Sequence, residues 1–332
     1  MTRTRDRVRG PGDRRHSCRA SRGLGTRKLR SYSRPLLLAC LGLLVSASLS
    51  CRTSDHGTPL RVARGRLALA SVRVSGIEGW FLLDTGSSGT IVCPELGSRL
   101  RRSSGSHRVS SLSRGGQWLE VGRVRSDEIV FGGSRLRYPE EVSVVDLGFL
   151  SDWAGMQVDG ILGWDVLREY VWGIDVRGAR LVASRGLSSA VILRSFGVSG
   201  ADATLTLETG GELPLVTVRA GSETFRLGLD TGAERTVVSA NAFRRLGLEL
   251  PPDAEPITTR GVNGPASGHM ARLSELRMGP VVWTDLDLVV RDFESSGDQE
   301  GLLGMDLLSD HVMVVDGPSR TLYLAKGVAE KR

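Results

Sequence analysis

Cysteine is scarce in this chain of 332 residues: four occur, Cys18, Cys40, Cys51 and Cys93. The first three lie in or beside an N-terminal leader, which leaves Cys93 alone in the body and excludes a disulfide framework. Cys93 stands in an apolar strand pattern and reads as a small buried hydrophobe. Aromatic residues make up 5% of the chain, and no apolar run is long enough for a comfortable bilayer crossing. There is no glycine-rich phosphate loop, no HExxH, no GxSxG and no CxxC. His56, His107, His269 and His311 show neither metal-ligand spacing nor repetition, so metal and cofactor chemistry have no support in the pattern.

Positive charge is also lacking where it would matter. The chain carries a formal +7, yet residues 1–50 hold twelve Lys/Arg against Asp6 and Asp13, so the leader accounts for +10 and the remainder for −3. A basic nucleic-acid groove in the body is excluded. The leader itself has the order of an export signal: an arginine-rich stretch to Arg34, an apolar core at 36–45, small residues, then Ser50-Cys51. Three outcomes fit it: lipidation on Cys51, simple cleavage and secretion, or an uncleaved anchor. The first is the expectation carried forward, with the protein in the cell envelope and held to the membrane through Cys51.

What the chain has in quantity is glycine, 42 residues, and a copy of itself. Shifted by 146 positions, residues 67–100 overlie 213–246 without a gap; Leu67, Leu69, Val72, Arg73, Leu83, Asp84, Thr85, Gly86, Thr90, Val92, Arg99 and Leu100 all meet an identical residue. A second block matches at an offset of 141, where Asp159-Gly-Ile-Leu-Gly-Trp-Asp165 lies over Glu300-Gly-Leu-Leu-Gly-Met-Asp306. The blocks keep their order and nearly their spacing: Asp84 to Gly163 is 79 residues, Asp230 to Gly304 is 74. The body is therefore a tandem duplication, each unit the size of an ordinary domain. The expected division is a leader at 1–51, one lobe at 58–186, a connector without strong periodicity at 187–200, and a second lobe at 201–328.

Each unit reads as mostly β. Residues 67–74 alternate, 80–83 form a short apolar run, and 89–93 are β-branched. A short helix is expected at 94–100, with its counterpart at 240–246, and the unit closes with a hairpin over 171–176 and 181–183. Asp165 and Asp306 each precede a Val/Leu-rich run and read as helix N-caps.

Both units carry one tripeptide after the same kind of strand: Leu83-Asp84-Thr85-Gly86-Ser87 and Leu229-Asp230-Thr231-Gly232-Ala233. A lone Asp-Thr-Gly is ordinarily a turn after a strand. Paired copies, each followed in register by Leu-Gly, resemble the retropepsin-like aspartic proteases and, in duplicated form, the pepsins, over about residues 60–326. The resemblance implies an all-β fold of two tandem β-barrel lobes about a pseudo-two-fold axis, with a few short helices. It implies a monomer that is its own dimer, a polypeptide substrate, no cofactor and no metal.

The implied chemistry needs both copies. One carboxylate activates a water while a second carboxylic acid protonates the peptide carbonyl. Two carboxyls about 3 Å apart do not both ionise and share one proton. Asp84 and Asp230 are the implied catalytic pair. By the same resemblance, Gly86 and Gly232 admit close approach at the axis, and Thr85 and Thr231 hydrogen-bond across it. Leu162-Gly163 and Leu303-Gly304 pass behind the two turns. Substrate-covering hairpin tips are expected at Arg114-Gly115-Gly116-Gln117-Trp118 and at Gly261-Val262-Asn263-Gly264. Retroviral members carry Arg after the downstream Gly, where Trp164 and Met305 stand here, so an ion pair of that kind does not transfer. The symmetry breaks after the tripeptide: Ser87 is able to donate a hydroxyl hydrogen bond to Asp84, Ala233 has none to give, and the expectation is a negative charge held on Asp84. The leading function is an aspartic endopeptidase; a catalytically silent peptide-binding envelope protein of the same fold is the alternative.

Overall fold

Residues 67–74 show how the sheets begin. Val72 and Val74 are buried with Arg73 between them facing water, the period of two that a half-covered strand requires. Leu67, Ala68, Leu69 and Ala70 are instead buried on both faces, because this part of the strand runs through the interior of a curved sheet. The computed structural model describes residues 57–110, 118–137, 141–209, 213–261, 264–292 and 298–327.

The first lobe opens with β1 (Leu60–Ala63), β2 (Leu67–Val74), β3 (Ile77–Leu83) and β4 (Ile91–Val92), followed by the short helix α1 (Pro94–Gly97). A hairpin comes next, β5 (Arg101–Ser110) and β6 (Trp118–Arg125), then β7 (Glu128–Phe131), β8 (Ser134–Arg137), β9 (Glu141–Val144), α2 (Gly148–Ala154), β10 (Gly160–Leu162) and α3 (Trp164–Leu167). These strands form one ten-stranded sheet in the order β5-β6-β9-β4-β10-β3-β2-β7-β8, with β1 added on β2.

Next along the chain come β11 (Val171–Asp175), β12 (Arg180–Ser184), the helix α4 (Ser189–Ser195), β13 (Ala203–Thr206) and β14 (Glu208–Thr209). The stretch at 187–200, read above as a connector without periodicity, thus contains a helix. Ile192 and Phe196, four apart, bury one face of it against Val312 and Val314.

The second lobe repeats the first with β15 (Pro214–Ala220), β16 (Glu223–Leu229), β17 (Val237–Ser239), α5 (Ala240–Arg245), the long hairpin β18 (Pro256–Gly261) and β19 (Gly264–Met278), β20 (Val281–Arg291), β21 (Gly301–Leu303) and α6 (Met305–Leu308). Its eight strands run β14-β15-β16-β21-β17-β20-β19-β18, and a further β15–β19 pairing curls the sheet towards closure. The last hairpin, β22 (His311–Asp316) and β23 (Thr321–Lys326), joins a five-stranded sheet, β12-β11-β22-β23-β13, to which both halves of the chain contribute. Half the pattern is antiparallel hairpin, but each lobe places one strand parallel to its active-turn strand: β10 beside β3 and β21 beside β16. A single apolar core, which includes Leu83, Leu162, Leu229 and Leu303, runs through both lobes. Among the described residues no helix is long and apolar enough to cross a membrane.

Candidate active site

Each Asp-Thr-Gly turn begins where a buried strand ends. Strand β3 delivers Asp84 and β16 delivers Asp230, and the neighbouring parallel strand holds each turn from behind. The Asp84 N–H donates to the Leu162 carbonyl at 3.1 Å, and the Asp230 N–H donates to that of Leu303 at 3.0 Å. One turn further, Trp164 N–H donates to Ser87 O and Met305 N–H to Ala233 O, both at 2.8 Å. The crossing is tight. A methyl group on Gly163 or Gly304 would stand 2.6 Å or less from the backbone of Gly89 or Arg235, so no side chain fits.

The two turns meet through their threonines, both fully buried. Thr85 Oγ1 donates to the Leu229 carbonyl at 2.6 Å and accepts the Thr231 N–H at 3.1 Å. Thr231 Oγ1 donates to the Leu83 carbonyl at 2.8 Å and accepts the Thr85 N–H at 3.1 Å. Residues 146 apart in sequence therefore close a reciprocal ring in which every buried donor has an acceptor. The aspartates are brought face to face across it. A methyl group on Gly86 would lie 2.4 Å from Asp230 Cγ, and one on Gly232 would lie 2.4 Å from Asp84 Cγ. Each carboxylate Oδ1 also accepts the N–H of its own glycine, at 2.8 Å for Gly86 and 2.9 Å for Gly232.

With that geometry in hand, comparison with known families is decisive. The family model described as aspartyl protease matches residues 70–166 and again 216–307, so that both lobes are covered. The chain belongs to the aspartyl protease family. Among solved structures, the crystal structure of an aspartic proteinase from Irpex lacteus aligns with a TM-score of 0.49 at 14% identity, over 83% of this chain and 98% of that one. No curated protein sequence matches.

In this member of the family both carboxyls are raised. Burial holds the Asp84 carboxyl well above the usual carboxylate range, and the charge and hydrogen bond of Asp230 add to the rise. Asp230 is raised too, by burial; the Gly232 N–H, the hydrogen bond with Asp84, the Ala233 N–H and the Arg291 charge all pull it down. The hydrogen bond expected from Ser87 to Asp84 is corrected here. The Ser87 hydroxyl donates to the Gly89 carbonyl at 2.8 Å, and its one proton is thereby taken.

Asp165 and Asp306 need a second correction. The helices they were expected to cap start at Trp164 and Met305, with Gly163 and Gly304 at the N-cap positions and no side-chain cap. Each carboxylate accepts one first-turn N–H from within the helix, Val166 to Asp165 at 2.9 Å and Leu307 to Asp306 at 3.1 Å, and also reaches sideways. Asp165 accepts the Thr90 N–H at 3.0 Å and its hydroxyl at 2.8 Å; Asp306 accepts the same pair from Thr236 at 2.9 and 2.7 Å. Each threonine oxygen in turn accepts the N–H of Gly163 or Gly304. The acid therefore straps the far end of each active-site turn to the Leu-Gly element. The sequence held a signal for this, since Thr90/Thr236 and Asp165/Asp306 repeat together.

The expected hairpins are present as β5–β6 and β18–β19, the latter with Gly261 opposite Gly264. Trp118 opens β6 opposite Ser110. Gly115, Gly116, Val262, Asn263 and Cys51 lie outside the described residues. Among the described residues no group of three or more His, Cys, Asp or Glu converges as a metal site. Arg291, at the end of β20, escaped the sequence reading altogether: it falls beyond the identical block, and a lone arginine carries no motif.

Proposed function

We propose that this family member is an active aspartic endopeptidase in which Asp84 and Asp230 share one proton and activate a water between them. The observation that carries the reading is the facing of two buried carboxyls from duplicated turns, held by the reciprocal Thr85–Thr231 ring. A pair so close is monoanionic over a range of pH, with one member a base and the other an acid. The ionised carboxylate takes a proton from water as the water oxygen bonds to the peptide carbonyl carbon. The carbonyl oxygen receives the proton of the other carboxyl. Collapse of the tetrahedral diol then sends a proton to the leaving amine nitrogen, and the pair returns to its starting state. Substrate is a polypeptide laid between the lobes beneath the β5–β6 and β18–β19 hairpins, and the sequence offers Trp118, Gly115, Gly116, Val262 and Asn263 as its contacts. One chain supplies both halves of the site, which supports a functional monomer.

Cleavage of a proteome-derived peptide mixture from about pH 3 to 8 tests this, with Asp84→Asn and Asp230→Asn proteins in parallel. The wild type should cut and each variant should lose at least about a thousandfold. Peptide retention without cleavage at any pH would instead make the chain a silent binding protein.

The leader supports a location. We propose export to the cell envelope and a lipid anchor on Cys51. Wild-type protein should partition with membranes and Cys51→Ser protein should not; equal partitioning of the two ends the proposal.

A further inference from the structure

The duplicated halves agree in fold and differ in charge. Residues 58–186 carry seventeen arginines against fourteen Asp/Glu, a formal +3, while residues 201–328 carry eleven Arg/Lys against nineteen, a formal −8. Part of the difference lies where the chain passes from the leader into the body. Residues 57 and 58 meet the outer edge of β12, which closes one side of the shared sheet. The Thr58 N–H donates to the Leu181 carbonyl at 3.0 Å. Two residues along β12, Gly132 of the β7–β8 turn lies so close that a methyl group on it would stand 2.2 Å from the Ala183 carbonyl oxygen. Two residues further, the Arg185 N–H donates to Ser134 Oγ at 3.2 Å.

Arginines crowd this edge. Arg135 and Arg137 flank the buried Leu136 and so point outward together. The Arg185 guanidinium donates to the carbonyls of Arg135 and Glu169 at 3.3 and 3.4 Å, which draws the end of α3, with exposed Arg168, into the same place. The carboxylates among them are Glu128, 3.1 Å from Arg135, and Glu169, 3.9 Å from both Arg168 and Arg185. Four cations thus stand against two anions. In the second half the same places are mostly neutral. Gly132 and Gly279 both turn at positive φ, and counted from them Arg135 and Arg137 meet Val282 and Thr284. At the offset of 141 Arg168 meets Ser309, and of the four only Arg185 meets a cation, Lys326.

We infer that this arginine edge is a docking face for an anionic phospholipid surface, which seats the first half on the membrane and holds the acidic second half away from it. The inference rests on the reading of Cys51 as a lipid anchor. Six residues lead from Cys51 to Gly57, and even fully extended they span about 20 Å. Leu181 to Arg185 along β12 is about 13 Å, so the arginines stay within the tether's reach of the bilayer. A flexible tether sets a distance and no orientation. A net +2 facing anionic headgroups favours one orientation by about thirtyfold, since each cation near such a surface is worth about fivefold. Charges of the second half that stand more than the screening length of about 8 Å from the headgroups do not cancel it.

Full chain expressed with its leader and recovered with its lipid, placed in vesicles of phosphatidylcholine alone or with added phosphatidylglycerol, tests this. A donor fluorophore on Ser188→Cys reports the neighbourhood of Arg185, and one on Thr284→Cys reports the second half; both positions are exposed, and Cys93 is buried. Energy transfer to an acceptor lipid should be greater from the first donor than from the second on anionic vesicles, and the excess should fall on neutral ones. About 1 M salt, where the screening length shrinks to about 3 Å, should bring it down to the neutral value. Arg135→Gln, Arg137→Gln and Arg168→Gln together should do the same at low salt, whereas Arg272→Gln in the second half should leave it unchanged. An excess that is equal on neutral and anionic vesicles, from protein whose mass shows the lipid, overturns the docking face and leaves the anchor standing. Protein recovered without lipid on Cys51 overturns both.

Discussion

At the scale of single residues, the site depends on groups whose replacement changes one atom. Thr85→Val keeps the shape of the side chain and removes the hydroxyl. The Leu229 carbonyl then loses its donor and the Thr231 N–H loses its acceptor, both in the dry interior. Leaving buried polar groups unpaired costs about 1–3 kcal/mol each, so urea unfolding should show Thr85→Val less stable by about 2–5 kcal/mol. Thr85→Ser, which keeps the hydroxyl, should recover most of it. The carboxyls predict the opposite sign. Both are raised above their unfolded values, so the folded chain binds more protons than the unfolded one as pH rises past the ordinary carboxylate range. Their contribution is therefore present in acid and lost as pH rises through the folded values. Asp84→Asn protein should be more stable than wild type at neutral pH, with the advantage shrinking towards about pH 4. An advantage that grows on acidification would contradict the burial of the pair. The two facing Asp-Thr-Gly turns were legible in the sequence because duplication printed them twice. The partner of Ser87 was not, because a serine beside an aspartate does not say where its hydroxyl turns, and Ser87 turns to Gly89.

At the scale of elements, β10 and β21 are the straps of the site. They are only three residues long, too short to be secure by their own ladders, and the Asp-Thr links add what the ladders lack. Burial raises the Asp306 carboxyl while the Thr236 N–H and hydroxyl favour its charged form. Asp306→Ala should leave the Thr236 N–H and hydroxyl without their acceptor, cost about 2–4 kcal/mol in urea unfolding, and lower peptide cleavage by loosening the second turn. Asp306→Asn retains one acceptor oxygen and should sit between the two. Strand order here could be read in outline from the Leu-Gly motif. The strap could not, because an acidic residue at the start of a helix looks the same whether it caps its own backbone or reaches across to another loop. The helix α4 was hidden for a different reason. It is a two-turn segment whose buried positions, Ile192, Leu193 and Phe196, are too few to set up a period, and only the sheet beneath it reveals which face is apolar.

At the scale of the whole molecule, the question is whether two lobes so alike behave as two folding units. The five-stranded sheet argues that they do not. Strand β11 of the first half lies directly beside β22 of the second, with Val171 opposite Asp316 and Asp175 opposite Val312, and α4 covers the junction. Trp172 in β11 is fully buried there. Neither half completes this sheet alone, and the reciprocal threonine ring would leave three buried backbone and hydroxyl groups per half unanswered if the halves parted. Urea unfolding should therefore be a single transition, with tryptophan fluorescence, far-ultraviolet circular dichroism and peptide cleavage lost at one midpoint. Phe196→Ala, far from the acids but under the shared sheet, should lower that midpoint for all three probes by about 3–5 kcal/mol of stability, the usual cost of emptying a buried aromatic site. Separate midpoints for cleavage and for structure would mean that the site opens before the lobes come apart, and the shared sheet would then not be what keeps Asp84 and Asp230 together.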